Sequence, residues 1–292
     1  MRALLASDWR AWPAPAKINL FLRITGRRAD GYHDLQTLFQ LLDWGDWVHV
    51  RVTREDAVRR IGGDSSNIPE TSDLLVKAAI SLKRHANCRK GAELFVTKRI
   101  PVGGGFGGGS SDAATVLRVL DRLWGCDLGT ERLAAIGREL GADVPVFVRG
   151  HSAWAEGVGD RLEPVSLPPA WFVLVDPAIS VPTGELFQVP ELTRDAAPVT
   201  IGDFASGVRL GNAFEPVLRR LQPVVDSTLE QMSRLGQAAL TGTGSGCFLR
   251  FDSKDQALAA QAALPVEWRS WVVQGVSESP LLKALAEFAV VD

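Results

Sequence analysis

A run of glycines before residue 110 constrains the fold of this chain more than any other feature. Six of the seven residues from 103 to 109 are glycine, and Ser110 and Ser111 follow directly. Glycine loses more conformational entropy on ordering than other residues, so an ordered run needs a structural reason. Without Cβ atoms, successive backbone N–H groups can converge on one anion. The run therefore favours a phosphate-binding loop over a flexible linker.

The segment after the glycines has the clearest helical pattern in the sequence. Its apolar residues recur at helical spacing, and they are Ala113, Val116, Leu117, Leu120, Leu123 and Trp124. Because serine hydroxyls are favourable N-caps, we predict that the helix begins at Ser110 or Ser111. A helix N-terminus adds partial positive charge, which strengthens the phosphate-loop interpretation.

Several known phosphate loops do not match this one. Gly103, Gly105 and Gly108 fit G-x-G-x-x-G, but no clear βαβ unit surrounds them, which disfavours a dinucleotide site. A P-loop needs lysine after its last glycine, and Ser110 follows Gly109 instead. The H-R-D and D-F-G motifs of protein kinases are absent.

The rest of the pattern predicts a protein of mixed helices and strands. Alternating apolar residues predict a strand over 17–25, in which Lys17 and Asn19 point the same way. We predict further strands over 35–52, 93–97, 144–148, 171–175, 247–251 and 271–276, helices over 74–85, 130–140 and 256–264, and a helix within 216–234. A long surface loop is predicted over 54–72, and a second glycine-rich turn over 242–246.

Composition limits the class of partner and the compartment. The 32 Lys and Arg residues against 34 Asp and Glu give a formal net charge of −2, which disfavours a nucleic-acid partner. No stretch is long and apolar enough to cross a membrane, and Ser7 and Asp8 interrupt the N-terminal apolar run before signal-peptide length. The 3 cysteines form no C-x-x-C pair. We therefore predict a cytoplasmic protein without nucleic-acid or membrane partners.

Phosphoryl transfer requires a cation near the transferred group, a carboxylate for the attacking hydroxyl, and magnesium. Lys17 is a candidate cation, and Asp143 in G-A-D-V-P-V-F is a candidate base. A surface lysine and a carboxylate bonded to local amides would account for the same residues, so both roles stay open at this point. Ser110 or Ser111 could give magnesium a hydroxyl, but no carboxylate ligand is unique, and the metal ligands are unknown.

Four ordered blocks together resemble the GHMP small-molecule kinases. They are P-A-K-I-N-L-F-L-R-I-T-G-R-R-A-D-G-Y-H (15–33), V-G-G-G-F-G-G-G-S-S-D-A-A (102–114), G-A-D-V-P-V-F (141–147) and T-G-T-G-S-G-C-F (241–248). The resemblance implies an α+β, two-domain fold. Residues 1–163 would form a ribosomal-protein-S5-like catalytic and ATP-binding domain, and residues 164–292 a ferredoxin-like domain on the substrate side.

Within the family, the first block is most similar to members that act on a cytidyl substrate. This similarity implies transfer of a phosphoryl group from ATP, with Mg²⁺, to the 2-hydroxyl of 4-diphosphocytidyl-2-C-methyl-D-erythritol. That reaction belongs to non-mevalonate isoprenoid precursor biosynthesis. The enzyme would be a monomer or a weak homodimer. The alternatives are another alcohol kinase of this family, such as homoserine kinase, and an ATP-binding module without catalysis.

The resemblance also implies roles for individual residues. Asp143 would take the proton of the substrate hydroxyl, Lys17 would stabilise the transferred charge, and Asn19 would contact substrate or place Lys17. The residues implied for ATP are Lys98, Pro101, Gly103, Gly104, Gly105, Gly107, Gly108, Gly109, Ser110 and Ser111. Those implied for the cytidyl group are Tyr32 and Phe187, which would stack on the base, His33, which would hydrogen-bond its edge, and Thr183.

Two positions depart from the family pattern. Asp73 stands where the family has an asparagine that contacts adenine, and Phe106 replaces the usual loop leucine. The contact of Asp73 with adenine and the effect of Phe106 on loop packing are left open by the sequence.

Overall fold

A computed structural model of the chain describes residues 8–64 and 69–288. The N-terminal segment on which the absence of a signal peptide was predicted lies mostly outside them. The strands are β1 (Arg10–Arg27), β2 (His33–Thr53), β3 (Val58–Arg60), β4 (Gly91–Thr97), β5 (Ala153–Glu156), β6 (Arg161–Pro164), β7 (Trp171–Asp176), β8 (Ala238–Leu240), β9 (Cys247–Phe251) and β10 (Arg269–Val276).

Ten helices accompany these strands in the described residues. They are α1 (Leu74–Ala86), α2 (Gly108–Trp124), α3 (Thr130–Leu140), α4 (Val144–Arg149), α5 (Thr183–Leu186), α6 (Ile201–Ala205), α7 (Glu215–Leu221), α8 (Pro223–Ser233), α9 (Lys254–Ala262) and α10 (Pro280–Glu287). The predicted α+β class is confirmed. No helix in the described part of the chain is long and apolar enough to span a membrane.

A long antiparallel hairpin of β1 and β2 lies at the centre of the fold. Its register shifts between Pro15 and Lys17 and again between Asn19 and Leu22. Such irregularities bend a strand and redirect its side chains. Lys17 and Asn19 therefore lie on a short stretch of β1 between two register shifts.

The sheet runs in the order β3-β4-β2-β10-β7-β9-β8, with β1 and β5 also paired to β2. Only β3 and β4 pair in parallel among its described strands. Helices α1 to α4 share a large apolar core with β1, β2 and β4. A second core joins β7, β8 and β9 to α7, α8 and α9.

The division into domains at residues 163 and 164 stays a prediction. Elements that follow it contact elements that precede it, because β10 pairs with β2 through Gly275 and Val276. Helix α10 likewise buries Leu281 in the core formed by α1 to α4. The ring of Phe288 lies 5.3 Å from that of Trp12 on β1.

The strand predicted over 144–148 is wrong, because these residues form helix α4. The run of apolar, largely β-branched residues resembles a buried strand. In the structure, Val144 to Val148 are all buried, but within a helix. A helix buried on every side has no polar face to reveal its period. Pro145 in the first turn is a helix-start signal, since its missing N–H costs nothing there.

Three other local predictions need correction. Helix α2 begins at Gly108 with Gly107 as its N-cap, and no serine side chain caps it. The segment 216–234, predicted to contain one helix, contains two, because Pro223 holds Gln222 in an extended conformation between α7 and α8. The loop predicted over 54–72 contains the short strand β3. The remaining predicted strands and helices are present; α3 and β9 have the predicted ends, and one or both ends of the others are shifted.

Candidate active site

The glycine run forms a tight loop between β4 and α2. Gly103, Gly105 and Gly107 have positive φ angles of 80°, 74° and 77°, a conformation that glycine adopts without steric cost. The first intrahelical hydrogen bond runs from Ser111 N to Gly107 O. The N–H groups of the residues between them therefore have no acceptor within the helix. They can serve an anion, as predicted for a phosphate loop.

A second glycine-rich turn, Thr241 to Gly246, packs directly on this loop. Gly246 N donates to Gly104 O at 3.1 Å. A Cβ atom on Gly105 would lie 2.5 Å from Thr241 O, so the two turns approach too closely for any side chain there. Asn212 holds the second turn by donating from Nδ2 to Gly242 O at 2.9 Å. The sequence predicted this turn but neither its contact with the loop nor Asn212.

The predicted catalytic pair is brought together beneath the loop. Lys17 Nζ lies 3.1 Å from Asp143 Oδ2, with Lys17 only 3% exposed and Asp143 33% exposed. Lys17 Nζ also donates to Asn19 Oδ1 at 2.7 Å. Asn19 Nδ2 in turn donates to Thr37 Oγ1 at 2.8 Å, which fixes the amide. A buried ammonium thus has two oxygen partners, one of which belongs to a partly exposed carboxylate.

Backbone contacts explain why the pair lies there. Lys17 N donates to Phe106 O at 3.0 Å, which ties β1 to the loop. A Cβ atom on Gly107 would lie 3.1 Å from Lys17 Cε and 2.8 Å from the Phe147 ring. Glycine at 107 therefore lets the loop lie against both side chains. Asp143 lies between α3 and α4, not at the predicted helix-to-strand joint, and its side chain caps neither helix.

Lys98 lies beside the loop, but its ammonium faces two carboxylates. Lys98 Nζ donates to Asp112 Oδ2 at 2.8 Å and also to Asp46 Oδ2. The other oxygen of Asp46 accepts from Ile100 N at 2.8 Å. A Cβ atom on Gly108 would lie 3.1 Å from Lys98 Nζ. This buried cluster joins β2, the start of the loop and α2, and the sequence did not predict Asp46 or Asp112 in it.

The cluster contains more carboxylates than ammonium groups. Burial raises the pKa of Asp112 to about 7, although the Lys98 charge opposes the rise. Burial lowers the pKa of Lys98, but the charges of Asp112 and Asp46 outweigh burial and hold it above its ordinary value. Asp112 therefore binds a proton near neutral pH, which balances the charge of the cluster.

This proton predicts a pH dependence of stability. Between 3.8, its ordinary pKa, and about 7, the folded chain keeps on Asp112 a proton that the unfolded chain releases. The free energy of unfolding should therefore fall as pH rises through this window. The difference in free energy of unfolding between Asp112→Asn and wild type should therefore change in favour of the variant by about 1 kcal/mol or more when the pH is raised from about 5 to about 8. Urea titrations across this range measure the difference.

A surface variant is the control for this titration. Asp255→Asn changes an exposed aspartate at the start of α9 and should keep the wild-type pH dependence. Parallel curves for wild type and Asp112→Asn would contradict the assignment of the proton to Asp112.

The residues predicted for a cytidyl group meet at the ends of β2 and α5. The rings of His33 and Phe187 stack at 5.0 Å with an angle of 25°. Phe187 also meets the edge of Phe214 at 4.9 Å. Tyr32, next to His33, is 66% exposed. Thr183 Oγ1 lies 3.0 Å from the hydroxyl of Thr243 in the second glycine-rich turn, so this group adjoins the loop region.

His33 has an unused nitrogen. The side chain is 7% exposed, and its Nε2 is buried with no hydrogen-bond partner among the described residues. Burial lowers the pKa of His33, and the charges of Arg194 and Arg27 lower it further. The ring is therefore neutral at pH 7, and it can offer Nε2 to a ligand.

The two positions that depart from the family pattern have structural roles. Asp73 is buried, accepts from Leu75 N at 2.9 Å as the N-cap of α1, and pairs with Arg60 at 2.7 Å. The ring of Phe106 is buried and fills the space over two glycines, since a Cβ atom on Gly246 would lie 2.4 Å from its Cζ. Pro101, at the start of the loop, is also buried.

Comparisons with known proteins agree with these features. The family description "GHMP kinases N terminal domain" matches residues 73–151, and "GHMP kinases C terminal" matches residues 196–269. The chain is 61% identical over 277 residues to the 4-diphosphocytidyl-2-C-methyl-D-erythritol kinase of Xanthomonas campestris pv. campestris (strain B100), covering 95% of this chain and 94% of that protein. It is 58% identical over 277 residues to the protein of the same name from Xylella fastidiosa (strain 9a5c), covering 95% and 93%.

Solved structures give the same result. A crystal structure of 4-(cytidine 5'-diphospho)-2C-methyl-D-erythritol kinase matches with a TM-score of 0.79 at 33% identity, covering 91% of this chain and all of that one (100%). A homoserine kinase from Cytophaga hutchinsonii matches with a TM-score of 0.64 at 16% identity, covering 94% and 96%, which shows a shared fold alone. The chain therefore belongs to the GHMP kinases, in the group of the 4-diphosphocytidyl-2-C-methyl-D-erythritol kinases.

Proposed function

We propose that this enzyme transfers the γ-phosphoryl group of ATP to the 2-hydroxyl of 4-diphosphocytidyl-2-C-methyl-D-erythritol. The observation that carries the proposal is the Lys17–Asp143 pair, 3.1 Å apart and directly under the glycine loop. A phosphate loop without a positioned base would suit a nucleotide-binding module instead. The substrate is favoured over homoserine because relatives 61% and 58% identical carry the cytidyl-substrate name.

In the proposed reaction, each group of the site has one task. The substrate oxygen attacks the γ-phosphorus, the bond to the bridging oxygen of ADP breaks, and the hydroxyl proton moves to Asp143. Asp143 is reachable because a third of its side chain is exposed (33%). Lys17 holds its ammonium near the transferred group, where it stabilises the equatorial oxygens. Asn19 keeps that ammonium in place through the 2.7 Å hydrogen bond.

The loop is proposed to hold the phosphates through its backbone. The N–H groups of Gly108, Gly109 and Ser110 lie at the start of α2 and are oriented by the helix. Lys98 would support this loop from its carboxylate cluster. Its ammonium lies beside Gly108, so it would also add positive charge close to the phosphates.

Magnesium would supply charge neutralisation at the phosphates. Two oxygen atoms at the start of α2, Ser111 Oγ and Asp112 Oδ1, are buried without a hydrogen-bond partner in the described chain. Hydroxyl and carboxylate oxygens are ligands that magnesium prefers, together with phosphates and water. The residues present therefore fit the ion. We propose that Ser111 and Asp112 hold it with the ATP phosphates, and that Asp112 releases its proton when the ion binds.

An assay of ADP release across several alcohols tests the proposed function. The cytidyl substrate should support turnover, while homoserine, mevalonate and galactose should not. A nucleotide-binding module would bind ATP without ADP release on any alcohol. Turnover with homoserine in place of the cytidyl substrate would contradict the proposal.

Removal of the exposed aromatic ring tests base recognition. Tyr32→Ala should raise KM for the cytidyl substrate by about tenfold, because base stacking contributes about 1–3 kcal/mol. The kcat value and the KM for ATP should stay near wild type. Tyr32→Phe keeps the ring and is the control, with a KM near that of wild type. Equal values of KM for Ala and Phe variants would contradict a stacking role.

We also propose that the enzyme acts in the cytoplasm as a monomer or weak homodimer, without nucleic-acid or membrane partners. The net charge of −2 supports the absence of a nucleic-acid partner. Sedimentation of the purified enzyme at several concentrations tests the oligomeric state.

A further inference from the structure

Arg194 binds the backbone of the segment that follows α5 and contains Phe187. Its Nη2 donates to Phe187 O at 2.9 Å and to Val189 O at 2.7 Å. Its Nη1 donates to Leu192 O at 2.9 Å and, more weakly, to Pro190 O at 3.4 Å. The planar guanidinium presents its donors in a fixed fork, so a single side chain sets the positions of four carbonyls.

Apart from Arg194, the segment is held mainly by apolar contacts with the second core, made by Leu186, Phe187, Val189 and Leu192. Of residues 183–192, only Leu186 and Leu192 are buried. The backbone bonds within it are short-range turns, such as Gln188 N to Glu185 O at 2.9 Å. Without Arg194, the carbonyls of Phe187, Pro190 and Leu192 would bind water, and Val189 O would keep only its hydrogen bond from Leu192 N, so the segment would lose contacts that order it.

The Arg194 guanidinium also acts on His33, the residue predicted to hydrogen-bond the edge of the base. Its charge contributes to the lowered pKa of His33, after the larger effect of burial. His33 stacks on Phe187 at 5.0 Å, so a shift of Phe187 would move the surface against which the imidazole rests. Phe187 in turn packs against the edge of Phe214, which fixes the far side of its ring.

We infer that Arg194 is a positioning residue for recognition of the base of a pyrimidine nucleotide. It holds Phe187 and His33 in the arrangement that leaves Nε2 of His33 free to bind the base edge. Arg194 itself is bonded to backbone carbonyls and is not required to touch the base. The inference rests on the proposed function, because the base belongs to the proposed cytidyl substrate. Because Phe187 and His33 are already fixed before the base binds, less conformational entropy is lost when the complex forms.

Three variants test this role. Arg194→Met removes the donors and keeps much of the side-chain volume. Arg194→Lys keeps the charge but cannot bridge all four carbonyls. Arg220→Met is the matched control, because Arg220 reaches the same segment only through an exposed ion pair with Glu191 at 2.9 Å. The measurements are steady-state kinetics, calorimetric titration with cytidine 5′-diphosphate, and hydrogen exchange of residues 183–192.

Arg194→Met should raise KM for the cytidyl substrate and weaken cytidine 5′-diphosphate binding by about tenfold. Its KM for ATP and its kcat should stay within a factor of about two. Exchange of residues 183–192 should accelerate in Arg194→Met, accelerate less in Arg194→Lys and stay unchanged in Arg220→Met. A role in general stability alone would reduce the amount of active enzyme. It would not raise KM for the cytidyl substrate more than KM for ATP.

Unchanged cytidine 5′-diphosphate affinity in Arg194→Met, beside a wild type that binds, would overturn the inference and leave the proposed function intact. A wild type that neither binds this probe nor phosphorylates the cytidyl substrate would instead overturn the proposed function, and base recognition with it. If Arg194→Met does not fold, Arg194→Lys decides. Weaker binding with faster exchange supports the role, and wild-type values for both overturn it.

Discussion

Asp143→Asn is expected to lower kcat by about 10²- to 10⁴-fold, the range that a positioned general base contributes. Asparagine keeps the shape and can accept a hydrogen bond from Lys17, but it cannot take the proton of the substrate hydroxyl. The binding of ATP should stay near wild type, because the loop amides and not Asp143 contact the phosphates in the proposed site. Single-turnover kinetics and ATP titration together measure the two effects.

The control for this variant breaks a similar ion pair elsewhere. Asp226→Asn removes the carboxylate that pairs with Arg219 at 2.7 Å on the surface of the second core. Exposed pairs contribute about 1 kcal/mol or less, so its turnover and stability should stay close to wild type. A kcat for Asp143→Asn within about tenfold of wild type would exclude Asp143 as the general base.

Gly105→Ala is expected to lower kcat/KM for ATP by at least about a hundredfold, the cost of displacing a catalytic group by about 1 Å. Residue 105 has a φ of 74°, and its added Cβ would lie 2.5 Å from Thr241 O and 3.2 Å from Gly244 O. The contacting atoms are backbone, so the two glycine-rich turns must separate. Separation would displace the loop amides, and Phe106 O would move with Lys17 N.

Gly125→Ala is the control, because it introduces the same backbone strain as Gly105→Ala without the steric contact. Gly125, at the C-cap of α2, has a φ of 68° and open space around it. Gly125→Ala should therefore lose about 1–2 kcal/mol of stability from the left-handed conformation and keep normal turnover. Measurements of thermal unfolding and of ADP release compare the two variants. Equal activity in both would contradict the proposed contact between the turns.

The sequence predicted the glycine loop and the residues of the catalytic pair, but only the fold places them together. Lys17 belongs to a strand and Asp143 to a joint between two helices. Their separation along the chain does not predict the distance between their side chains in the fold. The residues alone therefore left both roles open. The resemblance to a family removed that ambiguity for these two residues, and the 3.1 Å separation agrees with it.

The wrong prediction of a strand over 144–148 has a physical origin. Residues 144–148 are buried on all sides, so hydrophobic periodicity is absent, and a helix and a strand give the same pattern. Asp46 and Asp112 were missed for a related reason. A charged residue in an apolar stretch is visible in the sequence, but its partner Lys98 is chosen by the packing of β2 against α2.

The sequence alone determined where the backbone can form this tight loop, which we propose binds phosphate, because glycine adopts its positive φ angles without steric cost and permits its close approach. The tertiary structure decided what surrounds it. It placed a second glycine-rich turn on the loop, buried Lys98 between two carboxylates, and stacked Phe187 on His33. These contacts join residues far apart in the chain, and their energies depend on distance and burial. No local pattern records either quantity.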